Sequence, residues 1–146
     1  MQINTTRFGR ISINSFDLLN FASGLPGLEH CQHWALLADE SNPALGWLQS
    51  TSRPDVALAV VSPRRFVPDY RVRIPRSELT PLAMRHLKDA HLLAVVGQHE
   101  GRLTLNLKSP IVINVEARTG RQVVASGDLP LRYELVERHL PYKKSA

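Results

Sequence analysis

The sequence has a single cysteine, few aromatic residues and no long apolar run, and each shortage excludes a class of protein. Because Cys31 has no second cysteine to pair with, no internal disulfide can form, and a reducing compartment is indicated. No apolar stretch approaches the ~18 residues of a membrane-spanning helix, and the first residues lack the apolar core of a signal peptide. The apolar content of 43% is too high for a disordered chain. We therefore expect a folded, cytoplasmic protein without a membrane span.

The motifs of common enzymes are also missing. There is no Gly-x-Ser-x-Gly elbow and no glycine-rich phosphate loop, and no two carboxylates are placed for acid and base catalysis. His30, Cys31 and His33 could bind zinc or form a thiol nucleophile, but no second ligand group has a matching spacing. We expect a protein that is not an enzyme and has no metal or cofactor, with the histidine and cysteine group as an alternative to test.

Acidic residues are outnumbered, 13 to 18, which gives a net charge of +5. Such a balance favours anionic partners, for example RNA, a nucleotide or an acidic protein surface. The densest cationic group comprises Arg64, Arg65, Arg71, Arg73 and Arg76. Aromatic residues do not alternate with these arginines as a stacking platform for single strands requires. A basic β-barrel that binds RNA or a nucleotide is therefore the alternative function, and direct nucleic-acid binding is not the first choice.

The clearest structural signal is a period of two in residues 103–115, where the odd positions other than Ser109 are apolar and the even positions are mostly polar. This pattern predicts a half-buried strand, and Pro110 requires a bulge, a bend or an edge within it. Residues 118–121 read as a hairpin loop with positive φ at Gly120, after which residues 122–125 return. We therefore predict a hairpin at the centre of a barrel.

Other short apolar or alternating segments predict further strands. They lie at residues 8–13, 16–21, 34–37, 45–48, 56–61, 70–74, 91–96 and 129–135. Thr80 and Pro81 resemble a helix start, which predicts one short helix near residues 81–87. The sequence thus predicts an all-β protein, a small antiparallel β-barrel of about eight or nine short strands. We expect one domain over residues 1–136 and a basic C-terminal tail over 137–146.

Five segments together resemble the FliW family of flagellar assembly factors and occur in that family's order. They are Phe21-Ala-Ser-Gly-Leu-Pro-Gly-Leu28, Trp47-Leu-Gln-Ser50, Val60-Val-Ser-Pro63, Phe66-Val-Pro-Asp-Tyr70, and Leu105-Asn-Leu-Lys-Ser-Pro-Ile-Val-Ile-Asn114 with Gly120-Arg-Gln-Val-Val124. The resemblance covers roughly residues 8–135. Leu28 stands where an aromatic residue is usual in the family.

The resemblance implies a β-barrel that works by binding rather than by catalysis. Proteins of this family bind flagellin in the cytoplasm and bind CsrA, the carbon storage regulator, which relieves repression of flagellin messenger RNA. Many family members are acidic, which suits a basic RNA-binding regulator, whereas this chain is basic. The resemblance therefore supports flagellin as a partner more strongly than CsrA.

Candidate partner-binding residues come from the segments that carry the resemblance and from the adjacent arginines. Phe66 and Tyr70 could anchor an interface or fill the core, and the polar strand residues could instead hold the structure together. The candidates are Gln49, Ser50, Phe66, Asp69, Tyr70, Arg71, Arg73, Asn114 and Gln122.

Overall fold

The computed structural model describes residues 1–135, and the predicted tail at 137–146 lies outside them. Eleven strands occur in this part of the chain: β1 Gln2–Thr5, β2 Gly9–Ser12, β3 Leu18–Asn20, β4 His33–Ala38, β5 Leu45–Ser50, β6 Ala57–Val61, β7 His91–His99, β8 Arg102–Leu105, β9 Ile111–Asn114, β10 Thr119–Gln122 and β11 Tyr133–Glu134. The helix α1 spans Arg76–Leu79. No helix within residues 1–135 is long and apolar enough to cross a membrane.

Seven of these strands close into a barrel in the order β9, β7, β6, β5, β4, β3, β10 and back to β9. All neighbours are antiparallel except β3 and β10, whose parallel pairing rests on one register pair, Thr119 with Asn20. The predicted all-β barrel is confirmed, with this parallel seam as an addition that strand periodicity cannot reveal.

The barrel interior is filled by apolar side chains from all round the sheet. Phe21, Trp34 and Leu48 are fully buried there, and Ile111 and Ile113 of β9 join them. Neighbouring strand residues point to opposite faces, so Val112 of β9 and Val61 of β6 lie outside the barrel wall. Both are nevertheless buried, because other segments cover them. The wall therefore has packed layers on both faces in these places.

Two segments provide the outer layer. The β1–β2 hairpin places Ile3 and Ile13 over Ala35 of β4. The chain between β6 and β7, residues 62–90, covers Val112 with Leu79, Leu82 and Met84, and covers Val61 with Phe66 and Tyr70. Connections longer than about 12–15 residues are uncommon in compact domains and are often functional. This connection is therefore the first place to look for a site.

The predicted central hairpin is present, but its details differ. Six residues along β7, from His91 to Val96, face nine along the partner chain, from Leu105 to Ile113, so three extra residues bulge out. The bulge separates β8 from β9 beside Pro110, as the proline required.

The predicted hairpin turn was wrong in position. The turn occupies residues 115–118, where Arg118 takes φ of 54°, and Gly120 lies within β10. Gly120 is needed there because a Cβ atom would lie 2.4 Å from Cζ of Phe21. Glycine is required both where a side chain packs closely on the backbone and where a turn needs positive φ, and the sequence does not distinguish these two cases.

Other boundaries also shifted. The one predicted short helix is present, but its predicted position near 81–87 was wrong: α1 begins at Arg76, a 3-10 turn follows at Thr80–Leu82, and Ala83 takes a left-handed conformation that ends this turn. The predicted strand at 70–74 is an extended segment with one isolated bridge, Arg73 with Ser126. The predicted strand at 129–135 shortens to β11, and β7 extends to His99 so that only Glu100 and Gly101 form the turn.

Candidate functional site

The chain between β6 and β7 carries most of the positive charge, and we call residues 62–90 the cationic connection. It contains seven basic and three acidic residues, a net charge of +4. Residues 1–61 and 91–135 contain eight basic and nine acidic residues, a net charge of −1. The charge is therefore segregated onto one outer segment of a nearly neutral barrel. Its basic residues, all exposed, are Arg64, Arg65, Arg71, Arg73, Arg76, Arg85 and Lys88.

Buried apolar residues fix this segment to the barrel. Phe66 and Tyr70 hold its first part, and Leu79, Leu82 and Met84 hold its second. An ion pair of 3.0 Å between Glu78 Oε2 and Arg121 Nε of β10 adds a polar contact. The apolar side chains point towards the barrel and the cationic side chains towards solvent. The exposed charges are therefore supported by a layer of packed side chains.

Three grooves border the second half of the cationic connection. The first groove, of about 650 Å³, is lined by Arg76, Thr80, Ala83, Met84, Arg85 and His86. The second groove, of about 580 Å³, shares Ala83 to His86 and adds Asp89, His91, Asn114, Val115 and Glu116. The third groove, of about 500 Å³, is lined by Ser62, Pro63, Arg64, Leu87, Lys88, Ala90, His91, Leu92 and Leu93. Residues 83–86 thus form the wall between the first two.

This wall is shaped by the way the preceding 3-10 turn ends. The amide of Met84 donates to the carbonyl of Leu79 at 3.2 Å, and the amide of Ala83 donates to the carbonyl of Thr80 at 3.0 Å. These two bonds, with Ala83 at φ 56° and ψ 38°, form a Schellman motif, and Met84 packs with Leu79 as that motif favours. The motif fixes the direction in which Arg85 leaves the turn.

The first two grooves differ in charge. The first has two guanidinium groups and an imidazole but no carboxylate. The second has two carboxylates, Asp89 and Glu116, beside the same Arg85 and His86. An anion is therefore favoured in the first groove and disfavoured in the second.

The structure buries two of the residues predicted to bind a partner. Gln49 Nε2 lies within 3.4 Å of four carbonyl oxygens, the nearest that of Ser50 at 3.0 Å, and its two N–H groups donate among them. Ser50 Oγ accepts from the amide of Arg53 at 3.0 Å. Both side chains are fully buried. They shape the turn between β5 and β6 and present no surface to a partner.

Phe66 and Tyr70 are also core residues, at 6% and 3% exposure. The hydroxyl of Tyr70 donates to the carbonyl of Leu107 at 2.6 Å. Burial raises the pKa of Tyr70 to about 12, against the opposing effect of the Arg64 guanidinium. The two aromatics therefore hold the connection in place: of the two roles that the sequence leaves open for them, they have the core role.

The remaining predicted residues divide into an exposed and a structural set. Asp69, Arg71 and Arg73 are exposed on the cationic connection. Asn114 donates from Nδ2 to the carbonyl of Leu82 at 2.8 Å, and Gln122 donates from Nε2 to that of Ser109 at 3.0 Å. Asn114 also lines the second groove. The exposed three and the half-buried Asn114 and Gln122 remain available for contact.

His30, Cys31 and His33 do not converge. Cys31 is fully buried in the barrel core, whereas His30 and His33 are exposed. Residues 1–135 contain no group of three or more histidine, cysteine or carboxylate side chains arranged to hold a metal ion.

Sequence reasoning missed Arg85, His86, Lys88 and Met84 as site residues. The signal that could have found them is the net charge of residues 62–90. This charge is seen to belong to one segment only when β6 and β7 are recognised as the strands on either side of it. Individual arginine spacings do not show it.

The fold and the grooves define a class: a closed β-barrel whose candidate site is an outer surface built from one long connection. A sequence model of the family described as FliW protein matches residues 2–135. The flagellar assembly factor FliW of Moorella thermoacetica is 38% identical over 99% of this chain and 90% of its own length. That of Caldanaerobacter subterraneus subsp. tengcongensis is 36% identical over 88% and 87%.

A solved crystal structure of the flagellar assembly factor FliW superposes with a TM-score of 0.85 at 27% identity, covering 94% of this chain and 99% of the other. This chain belongs to the FliW family.

Proposed function

We propose that this protein is a non-enzymatic flagellar assembly factor that acts in the cytoplasm by binding flagellin and CsrA. Membership of the FliW family over residues 2–135 carries the proposal. Binding CsrA would relieve its repression of flagellin messenger RNA, and flagellin would compete for the same assembly factor.

The charge distribution bears on where CsrA would bind. CsrA is a basic RNA-binding regulator, and like charges across an interface are unfavourable. CsrA therefore fits the remainder of the barrel, at −1, better than the cationic connection, at +4.

Titration calorimetry with flagellin and CsrA from the same organism tests the proposal. We expect a complex with each at micromolar concentration, and displacement of CsrA by flagellin. Absence of both complexes would remove the proposed function, whereas binding of flagellin alone would remove only its regulatory half.

The alternative, binding of RNA or a nucleotide, has less support. The aromatic residues of the cationic connection, Phe66 and Tyr70, are buried, so neither offers a ring on which a base could stack. A salt titration separates the two: nucleic-acid affinity falls steeply, with log K declining by roughly 0.7–0.9 per phosphate neutralised for each unit of log salt.

A further inference from the structure

We infer that the first groove is a docking site for an acidic polypeptide segment that also carries apolar side chains. The inference goes beyond the partners proposed above, since it concerns the chemistry of one surface and can be tested with synthetic probes. It rests on the charge, the lining and the fixed geometry of this groove.

The cations at the groove are not neutralised by any residue in the range 1–135. Within residues 1–135 neither Arg76 nor Arg85 forms an ion pair, and both side chains are exposed. Glu78, the nearest carboxylate in sequence to Arg76, is already paired with Arg121. A partner carboxylate could therefore accept both hydrogen bonds of a guanidinium fork without displacing an existing ion pair.

Apolar atoms share the groove lining with the two arginines. Ala83 is exposed there, and the edge of the otherwise buried Met84 also lines the groove. A small inorganic anion would leave these apolar atoms uncovered. A peptide with alternating acidic and apolar side chains would satisfy the guanidinium groups and cover the apolar atoms at the same time.

The groove is held ready by the Schellman motif at its wall. Ala83 is not glycine, yet it keeps a left-handed conformation that is sterically unfavourable for alanine. Strained residues of this kind cluster at ligand clamps and switch regions. Because Arg85 follows directly, a fixed wall reduces the ordering required when a ligand binds.

A polypeptide fits better than a nucleic acid. Within residues 62–90, Phe66 and Tyr70 are buried, and the exposed aromatic ring is the imidazole of His86, which alone makes no stacking platform. Asp89 and Glu116 in the adjoining second groove would repel a phosphate backbone that continued past the wall. A short peptide can end within the first groove.

The test measures fluorescence anisotropy of a labelled peptide of alternating glutamate and leucine. We expect binding to the full chain, at least about tenfold weaker binding to the Arg76→Glu/Arg85→Glu variant, and weaker binding of a glutamate and serine peptide. An Arg76→Gln/Arg85→Gln variant repeats the measurement without charge reversal.

The matched control is Arg10→Glu/Arg132→Glu, which changes the net charge equally at two exposed arginines outside the connection. We expect the affinity of this control for the peptide to stay within about twofold of that of the wild type, since a change in net charge alone should have only a small effect. Equal loss in both variants would overturn the inference, because net charge alone would then explain binding. Absence of peptide binding would also overturn it, as would tighter binding of oligouridylate at the same two arginines.

Discussion

The hydroxyl of Tyr70 is a polar group inside an apolar cluster, and it is satisfied by one hydrogen bond, 2.6 Å to the carbonyl of Leu107. Tyr70→Phe leaves this carbonyl without that donor, and a buried unsatisfied group costs about 1–3 kcal/mol. We expect the free energy of unfolding, measured with urea at neutral pH, to fall by that amount. Tyr133→Phe, at a half-buried tyrosine of β11, is the control and should change it little.

The same residue predicts a pH dependence. An exposed tyrosine has a pKa near 10, and burial raises the pKa of Tyr70 to about 12. The folded protein keeps a proton that the unfolded chain releases, so this contribution to stability is complete below about pH 10 and is lost as the pH rises towards 12. Urea unfolding across this range should show a steeper decline for wild type than for Tyr70→Phe. Parallel curves would show that Tyr70 is not held protonated by the fold.

Several residues that carry the family resemblance have a structural role in the barrel rather than a visible role in binding. Phe21 of one segment packs its ring onto Gly120 of another, and Gln49 and Ser50 support a turn. Sequence reasoning could identify these residues, but it could not separate a structural role from a contact role. That distinction depends on exposure, which only the fold supplies.

Gly120→Ala tests the contact with Phe21. An added Cβ would lie 2.4 Å from the ring, which is fully buried and has little room to move. We expect a loss of stability of about 1–3 kcal/mol by chemical denaturation. Gly46→Ala is the control, since its Cβ would meet its nearest atom at 3.4 Å, and an unchanged or slightly raised stability is expected there. Equal behaviour of the two variants would contradict this account.

At the scale of elements, periodicity predicts strands well where one face meets the core and the other meets solvent. The same alternation misled at residues 70–74, where Tyr70, Val72 and Ile74 are turned towards the barrel without their backbone joining the sheet. The helix end was missed because Ala83 occupies a position where glycine is the usual signal. The local sequence does not indicate that an alanine takes a left-handed conformation.

Ala83→Gly should therefore stabilise the protein. Glycine adopts φ of 56° without the steric cost that alanine has there, and the Schellman hydrogen bonds are kept. We expect a gain of about 0.5–1 kcal/mol in the free energy of unfolding. Ala90→Gly, at φ −95° on the same connection, should instead lose stability. A loss at Ala83 would show that its conformation is not strained.

At the scale of the whole molecule, chain topology creates both the site and a parallel seam in the barrel. Because β6 and β7 are neighbours, the 29 residues between them must return over the outer wall, where their cations gather. The sequence shows these arginines but not that Arg76 and Arg85 border one groove, since this depends on α1 and the turn at Ala83. The candidate site was therefore only partly predictable.

The parallel seam between β3 and β10 has one register pair, whereas β4 and β5 share five. We expect the barrel to open locally at this seam before it unfolds globally. Under native conditions the amide of Asn20, which donates to the carbonyl of Arg118 at 2.8 Å, should exchange its hydrogen at least about tenfold faster than the amides within β5.

Gly120→Ala extends this test, because the added methyl group crowds Phe21 at the same seam. Exchange at Asn20 should accelerate in this variant, with a smaller change in β5 that follows the loss of global stability. Nuclear magnetic resonance of the two proteins measures both rates residue by residue. Equal protection of the seam and of β5 in the wild type would show that the barrel unfolds as one unit, since a single parallel pair would then be no weaker than the antiparallel sheet around it.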